Sequence, residues 1–231
     1  MAMQVVLIPT FIGVQEKGNL PQRTLDKIYS IRHFIVERER TARAFLKAIQ
    51  HPLAQQDFVI HELDKHGNYN NFHGFVDQHL STDDIGVLSE AGLPAIADPG
   101  SSIIAYAHSK SAKIVPLAGT SSIFLALMAS GLNGQDFRFH GYLPIDSSQR
   151  LKKLKEMEKF SGKSTQIFME APYRNNDFLS FLIKNLQKST TLCIACDLES
   201  EREIIISKKV SEWSAKEIDL HKRPCIYLIG Q

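Results

Sequence analysis

The sequence has little net charge, no long apolar run and few cysteines, and each shortage removes a class of protein. Over 231 residues the formal charge is only +2. No global basic field marks a nucleic-acid partner, so any positive charge used on RNA has to be local. No apolar run approaches the roughly 20 residues that cross a bilayer, so no membrane partner is expected. The opening Met1-Ala2-Met3-Gln4-Val5-Val6-Leu7-Ile8-Pro9 lacks a basic start and a small-residue cleavage ending, and reads as a first strand instead of a signal peptide. Three cysteines, an odd number in a chain of this length, point to a reducing, cytoplasmic setting.

Cys193-Ile194-Ala195-Cys196 has the spacing of a redox motif or of half a zinc site. It lies inside the apolar run Leu192 to Leu198, where alternate strand residues face opposite sides. No second Cys or His pair with zinc spacing accompanies it, so a buried strand is expected and no metal. Other motifs are missing too. No Gly-x-Gly-x-x-Gly follows the first strand, and there is no Gly-x-x-x-x-Gly-Lys-Ser/Thr loop. A Gly-x-Ser-x-Gly elbow is also absent, which removes the usual serine hydrolase. No repeat of fixed period and no low-complexity tract is found.

What is present describes a globular chain. Hydrophobic residues make up 43%, aromatics 9% and charged residues 23%, enough for a real core in one large or two small domains. Short apolar runs alternate with helix-period segments almost end to end. Strands are expected at Gln4 to Ile8, Phe34 to Val36, Phe58 to Ile60, Ile85 to Leu88 and Lys113 to Val115. Later strands fall near Phe137 to Gly141, Gln166 to Met169, Thr191 to Ala195, Ile204 to Ile206 and Cys225 to Ile229. Between them, Ala42, Phe45, Leu46 and Ile49 fall at helical spacing, and Pro21 suits a first helical turn. This alternation predicts an α/β protein with mostly parallel sheets. The closeness of the last two strands leaves room for antiparallel pairing and a mixed second sheet. Pro116-Leu117-Ala118-Gly119 brackets a crossing segment, which places the expected domains at 1–116 and 117–231.

The richest stretch for chemistry is Leu88-Ser89-Glu90-Ala91-Gly92-Leu93-Pro94-Ala95-Ile96-Ala97-Asp98-Pro99-Gly100-Ser101. It runs from a strand into a helix, where open α/β sheets bind ligands. Its small residues let backbone approach a ligand closely. Asp98 either caps the following helix or orients a polar group, and the residues alone leave both open.

Leu88 to Gly100 resembles the Val-Ser-Asp-Ala-Gly-Thr-Pro…Asp-Pro-Gly segment of the bacterial ribosomal RNA small-subunit methyltransferase I family, a branch of the tetrapyrrole methylases. Val115-Pro116-Leu117-Ala118-Gly119-Thr120-Ser121 is similar to its Val-Pro-Leu-Pro-Gly-Pro-Ser/Cys. Gly131-Leu132 and Phe137 to Pro144 follow in order, then Ile167-Phe168-Met169-Glu170-Ala171-Pro172-Tyr173-Arg174, similar to Phe-Tyr-Glu-Ser-Pro-His-Arg. Leu7 to Gly13 resembles Val-Pro-Thr-Pro-Ile-Gly-Asn.

The resemblance implies two α/β domains of the tetrapyrrole-methylase, or class III methyltransferase, type with the donor site in the cleft between them. The donor would be S-adenosylmethionine and the partner 16S ribosomal RNA in the small ribosomal subunit, with the enzyme a homodimer. Donor contacts would come from Pro9, Ser89, Glu90, Ala91, Gly92, Ile96, Asp98, Thr120, Ser121, Met169 and Ala195. For transfer to a ribose hydroxyl the carboxylate candidates are Glu37 and Glu170, with Arg40 and Arg174 as phosphate or carboxylate clamps. Glu37 and Arg40 are three apart, so a structural ion pair within one helical turn is the plainer expectation.

Departures from the family pattern are also visible. Glu37-Arg38-Glu39-Arg40 stands where the family has Glu-Asp-Thr-Arg, and Cys196-Asp197-Leu198-Glu199 where it has Arg-Glu-Leu-Thr. Val14 replaces an asparagine and is followed by an inserted Gln15 to Asn19. The chain stops at Gln231, where longer relatives carry a helical tail. For RNA, the local basic groups are Arg38-Arg40-Arg43, Arg150-Lys152-Lys153-Lys155 and His221-Lys222-Arg223. The middle one alternates with Leu151 and Leu154 and reads as the solvated face of an amphipathic helix. Two other functions stay open: C-methylation of a tetrapyrrole, and donor binding beside the ribosome without turnover. The first lacks the Gly-rich first loop and Gly-Asp-Pro segment of those enzymes. The second is motivated by Arg38 and Asp197.

Overall fold

The computed structural model describes residues 4–13, 20–63 and 71–231. Val14 and the inserted stretch to Asn19 lie outside them. The chain divides into two compact units, Met1–Ser121 and Ser122–Gln231.

In the first unit, strands β1 (Gln4–Ile8), β2 (His33–Val36), β3 (Val59–Glu62), β4 (Ile85–Leu88) and β5 (Lys113–Pro116) form one sheet in the order β3-β2-β4-β1-β5. Every pairing is parallel. Parallel strands need crossovers, and these come as helices α1 (Gln22–Tyr29), α2 (Glu39–Ala48), α3 (His73–His79) and α4 (Ser101–Ser109). The inner strands are apolar on both faces because both faces are covered. Val6, Ile8, Phe34, Val36 and Leu88 pack with Leu25, Ile28, Phe45 and Leu46 of α1 and α2. Their sequence neighbours Val5, Ile35 and Val87 pack instead with Val76, Ile103 and Ala107 of α3 and α4. The period of two in each strand therefore sorts the helices onto opposite sides.

Register decides where the loops emerge. Ile8 and Val36 both pair with Leu88, and Leu7 pairs with Pro116. The residues that follow, Pro9, Glu37, Ser89 and Leu117, accordingly leave from one carboxyl edge of the sheet.

The second unit contains α5 (Ser122–Ser130), β6 (Phe137–Tyr142), α6 (Ser147–Phe160), β7 (Thr165–Met169), α7 (Asn175–Asn185), β8 (Thr191–Cys196), β9 (Ile204–Lys209) and β10 (Cys225–Gly230). Its sheet runs β6-β7-β10-β8-β9. Only β6 and β7 are parallel; β10 pairs antiparallel with both β7 and β8, and β8 with β9. The sheet is mixed, but not through the last two strands, whose closeness along the chain left room for antiparallel pairing: β8 lies between β9 and β10 and pairs antiparallel with each. Between β9 and β10 lies a 3-10 turn, Val210–Glu212. Asp146 caps α6 by accepting the amides of Ser148 and Gln149 at 3.1 and 2.9 Å, the usual relief for unpaired N-terminal amides. The core joins Leu154, Met157, Phe178, Leu179 and Leu182 of α6 and α7 to Phe168, Ile194, Tyr227 and Ile229 of the sheet. Helix α5 packs on β8, β9 and β10. No helix among the described residues is long and apolar enough to cross a membrane.

Candidate functional site

At the carboxyl edge of the first sheet, two loops are stitched together by backbone. The Thr10 amide donates to the Gly92 carbonyl at 2.8 Å, and the Gly92 amide donates back to Thr10 at 3.2 Å. Buried Ser89 adds its hydroxyl to the same Gly92 carbonyl at 3.1 Å. Gly92 has φ +80°, and a Cβ there would lie 3.3 Å from Ile12 Cγ2 and 3.7 Å from the Thr120 carbonyl oxygen. Glycine meets both the angle and the close approach.

The crossing segment is held equally tightly. The Leu117 amide donates to the Leu7 carbonyl at 3.0 Å, and Thr24 Oγ1 donates to the Ala118 carbonyl at 2.9 Å. Gly119 then passes so close to Pro9 that an added Cβ would sit 2.1 Å from Pro9 Cβ. Between Gly92 and Gly100 the chain bends sharply, with Ala95 at φ 65° and Ala97 at φ 61°. An L-residue held left-handed costs about 1–2 kcal/mol, and such strain collects where a loop has a job. Ala91 and Ile96 are exposed at this edge, while Pro9 and Ser89 are buried.

Three carboxylates share the neighbourhood. Glu37 Oε1 accepts the Glu90 amide at 3.3 Å, and Thr41 Oγ1 donates to Glu90 Oε2 at 3.1 Å. Asp98 is half-buried; its carboxyl is pushed up to about 6, first by desolvation and then by the charges of Glu37 and Glu90. It does not cap α4, whose N-cap is Gly100 without a side-chain bond. Beside these groups is a cavity of about 20 Å³ lined by Thr10, Phe11, Thr41, Ala42, Phe45, Ser89 and Glu90, the size of a single water.

Glu37 precedes α2, which begins at Glu39, so the one-turn relation expected between Glu37 and Arg40 does not apply. The ion pair of that first turn is Glu39–Arg43 at 2.7 Å, and Arg40 is exposed. Because Asp98 titrates above its ordinary 3.8, the folded chain holds this proton more firmly than the unfolded chain. Stability is then lost as pH rises from about 4 through 6. Asp98→Asn should raise the urea midpoint at about pH 7.5 and leave it unchanged at about pH 4.

In the second unit, Glu170 follows β7 and its side chain is fully buried. Its Oε1 accepts both the Ala171 amide at 2.7 Å and Arg174 Nη2. Arg150 Nη1 stands 3.9 Å from Oε2 and its guanidinium lies over the Phe181 ring at 4.7 Å. Arg150 thus leaves the solvated face expected of its cluster. The signal was available, since residues 150, 154 and 157 follow one helix face and Leu154 and Met157 are core. Lys152 and Lys155 lie off that face and are exposed. Met169, half-buried, and Ala195, buried, sit on either side of Ile226, each in register with it.

The three cysteines are buried and free. Three residues apart on β8, Cys193 and Cys196 point to opposite faces, and burial pushes the Cys193 thiol to about 11. Cys196 instead pairs in register with Cys225, a neighbour that lies on another strand. Among the described residues, no group of three or more His, Cys, Asp or Glu is arranged to hold a metal ion.

No family model matches the chain. Its fold is that of a methyltransferase built from two α/β units: it superposes on the crystal structure of the methyltransferase CobJ with a TM-score of 0.65 at 12% identity, covering 100% of this chain and 95% of that one. The chain is 31% identical over 226 residues to the ribosomal RNA small subunit methyltransferase I of Vibrio cholerae, covering 96% of this chain and 75% of the relative. The protein of that name from Bacillus subtilis is 29% identical over 229 residues, 97% of this chain and 74% of the relative. The chain belongs to the ribosomal RNA small subunit methyltransferase I family.

Proposed function

We propose that this methyltransferase carries a methyl group from S-adenosylmethionine to a ribose 2′-hydroxyl of 16S ribosomal RNA in the small subunit. The observation that carries the reading is the backbone cradle at the carboxyl edge of the parallel sheet. There Gly92 and Gly119 run close against Ile12 and Pro9, where a side chain would crowd, and a ligand meets main chain. Three carboxylates next to it favour a cation, and a sulfonium is one. The lining of this edge supports donor binding: Ser89 to Gly92, Thr120 and Ser121 offer polar backbone, and exposed Ile96 offers an apolar surface.

Bound S-adenosylmethionine supplies an electrophilic methyl whose leaving group is a neutral thioether, so the protein provides no strong acid. Its residues do two other things. They position the hydroxyl in line, which supplies much of the acceleration, and they accept the hydroxyl proton. Glu170 is committed to Arg174 and Arg150, which suits orientation. Glu37 is the better proton acceptor, with Asp98 beside it.

Tritium-labelled donor incubated with under-methylated 30S subunits should label 16S RNA, and the label should survive alkaline hydrolysis in dinucleotides, because a 2′-O-methyl blocks attack on the next phosphate. Label no greater than that of a Gly119→Val variant, or label on a base, would overturn the reading. The family resemblance also supports a homodimer, and sedimentation as a single species of monomer mass would remove that part.

A further inference from the structure

We propose that Arg150 and Arg174, held side by side on the Glu170 carboxylate, form a clamp for a phosphodiester of the acceptor RNA. Tyr173 and Lys222 extend the surface around it. The inference rests on the RNA-methyltransferase reading and names the part of the RNA that the second unit grips.

Two guanidiniums on one carboxylate leave an excess positive charge. Glu170 is fully buried behind them, whereas the Arg150 and Arg174 side chains are 20% and 24% exposed, so each presents an outer edge. The cluster is also incompletely paired. Among the described residues, Glu170 Oε2, Arg150 Nε and Arg174 Nε are buried without a hydrogen-bond partner. Arg150 approaches Glu170 only at 3.9 Å, beyond hydrogen-bond reach. An ion pair built only for stability closes on itself, because burying unpaired charge is costly. This one is left open, and the exposed outer edges of the two side chains present the planar fork that matches phosphate oxygens.

Neighbouring elements point the same way. The Lys222 amide donates to the Pro172 carbonyl at 2.9 Å, and Asn175 Nδ2 donates to the Arg223 carbonyl at 2.6 Å. These bonds dock the 221–223 loop against the turn that carries Tyr173 and Arg174. Tyr173 is 62% exposed, with the Arg174 guanidinium 5.3 Å from its ring centre. Such an aromatic beside arginine offers a base a stacking face. Lys222 is exposed, but Arg223 is consumed by Asp197 at 2.8 Å and belongs to the frame. Lys153 and Lys155 are occupied by Glu156 and Glu158 on their own helix.

The test is fluorescence anisotropy of a labelled 16S-derived RNA fragment over a salt series, with donor affinity read separately by calorimetry. Arg150→Ala and Arg174→Ala should each weaken RNA binding roughly tenfold and lower the salt slope by about 1. KM for RNA should rise, and donor affinity should not move. Arg150→Lys and Arg174→Lys, which keep a charge on Glu170 but lose the fork, should fall between. Lys188→Ala, at an exposed lysine between α7 and β8, should match the parent. Parental affinity and slope in both folded alanine variants would overturn the clamp, as would equal weakening by Lys188→Ala. If the alanine variants do not fold, parental affinity in both lysine variants overturns it. A parent that binds RNA but no donor sinks the methyltransferase reading while this measurement still decides the clamp.

Discussion

Glu170→Ala is expected to destabilise the second unit by about 3–5 kcal/mol, the cost of leaving buried charge without its partner. The Glu170 side chain has no exposure, and it neutralises two arginines that are themselves mostly covered. Removing it leaves two like charges close together, a lost acceptor for the Ala171 amide, and a void on the buried side of both guanidiniums. The thermal midpoint should fall by more than about 10 °C. Glu170→Gln, which keeps the shape and one acceptor oxygen, should lose less. A fall of under about 1 kcal/mol for the alanine variant would show that water reaches the arginines freely, and that Glu170 does not organise them.

Gly119→Ala should be costly for a different reason. Gly119 has no left-handed angle, so alanine there would ordinarily stabilise slightly by restricting the unfolded chain. Here the added methyl would meet Pro9 Cβ at 2.1 Å and Cγ at 2.4 Å. Neither the proline ring nor the crossing segment can retreat, because Leu117 and Ala118 are bonded to Leu7 and Thr24. Overpacking of this kind costs about 1–3 kcal/mol, and the displaced backbone belongs to the proposed donor cradle. Urea titration should show the loss of stability, and calorimetry a donor affinity reduced at least tenfold. Pro9→Gly added to Gly119→Ala should restore part of both, since the two substitutions act on one contact. No recovery in the double variant would place the effect elsewhere.

Both positions show how far the residues could be read in order. The segment holding Gly119 stood out because proline and glycine bracket it, and Glu170 because it ends an apolar run inside a family-like motif. Their partners were less accessible. Arg150 was grouped with Lys152, Lys153 and Lys155, although helical spacing puts it with Leu154 and Met157. Cys193 and Cys196 invited attention as neighbours in sequence, yet the cysteine opposite Cys196 is Cys225.

By itself, the sequence determined the alternation of strands and helices, the placement of nearly every element, and the family. These follow from periods of two and 3.6 residues and from short motifs, which are local properties. Tertiary structure alone decided that β10, last in the chain, lies in the middle of its sheet, and that Glu37, Glu90 and Asp98 share one edge. It also decided that Gly119 rests on Pro9 and that two arginines from separate elements meet on Glu170. Strand order and register come from pairing between distant segments and from burying both sheet faces at once, and no window along the chain contains that information.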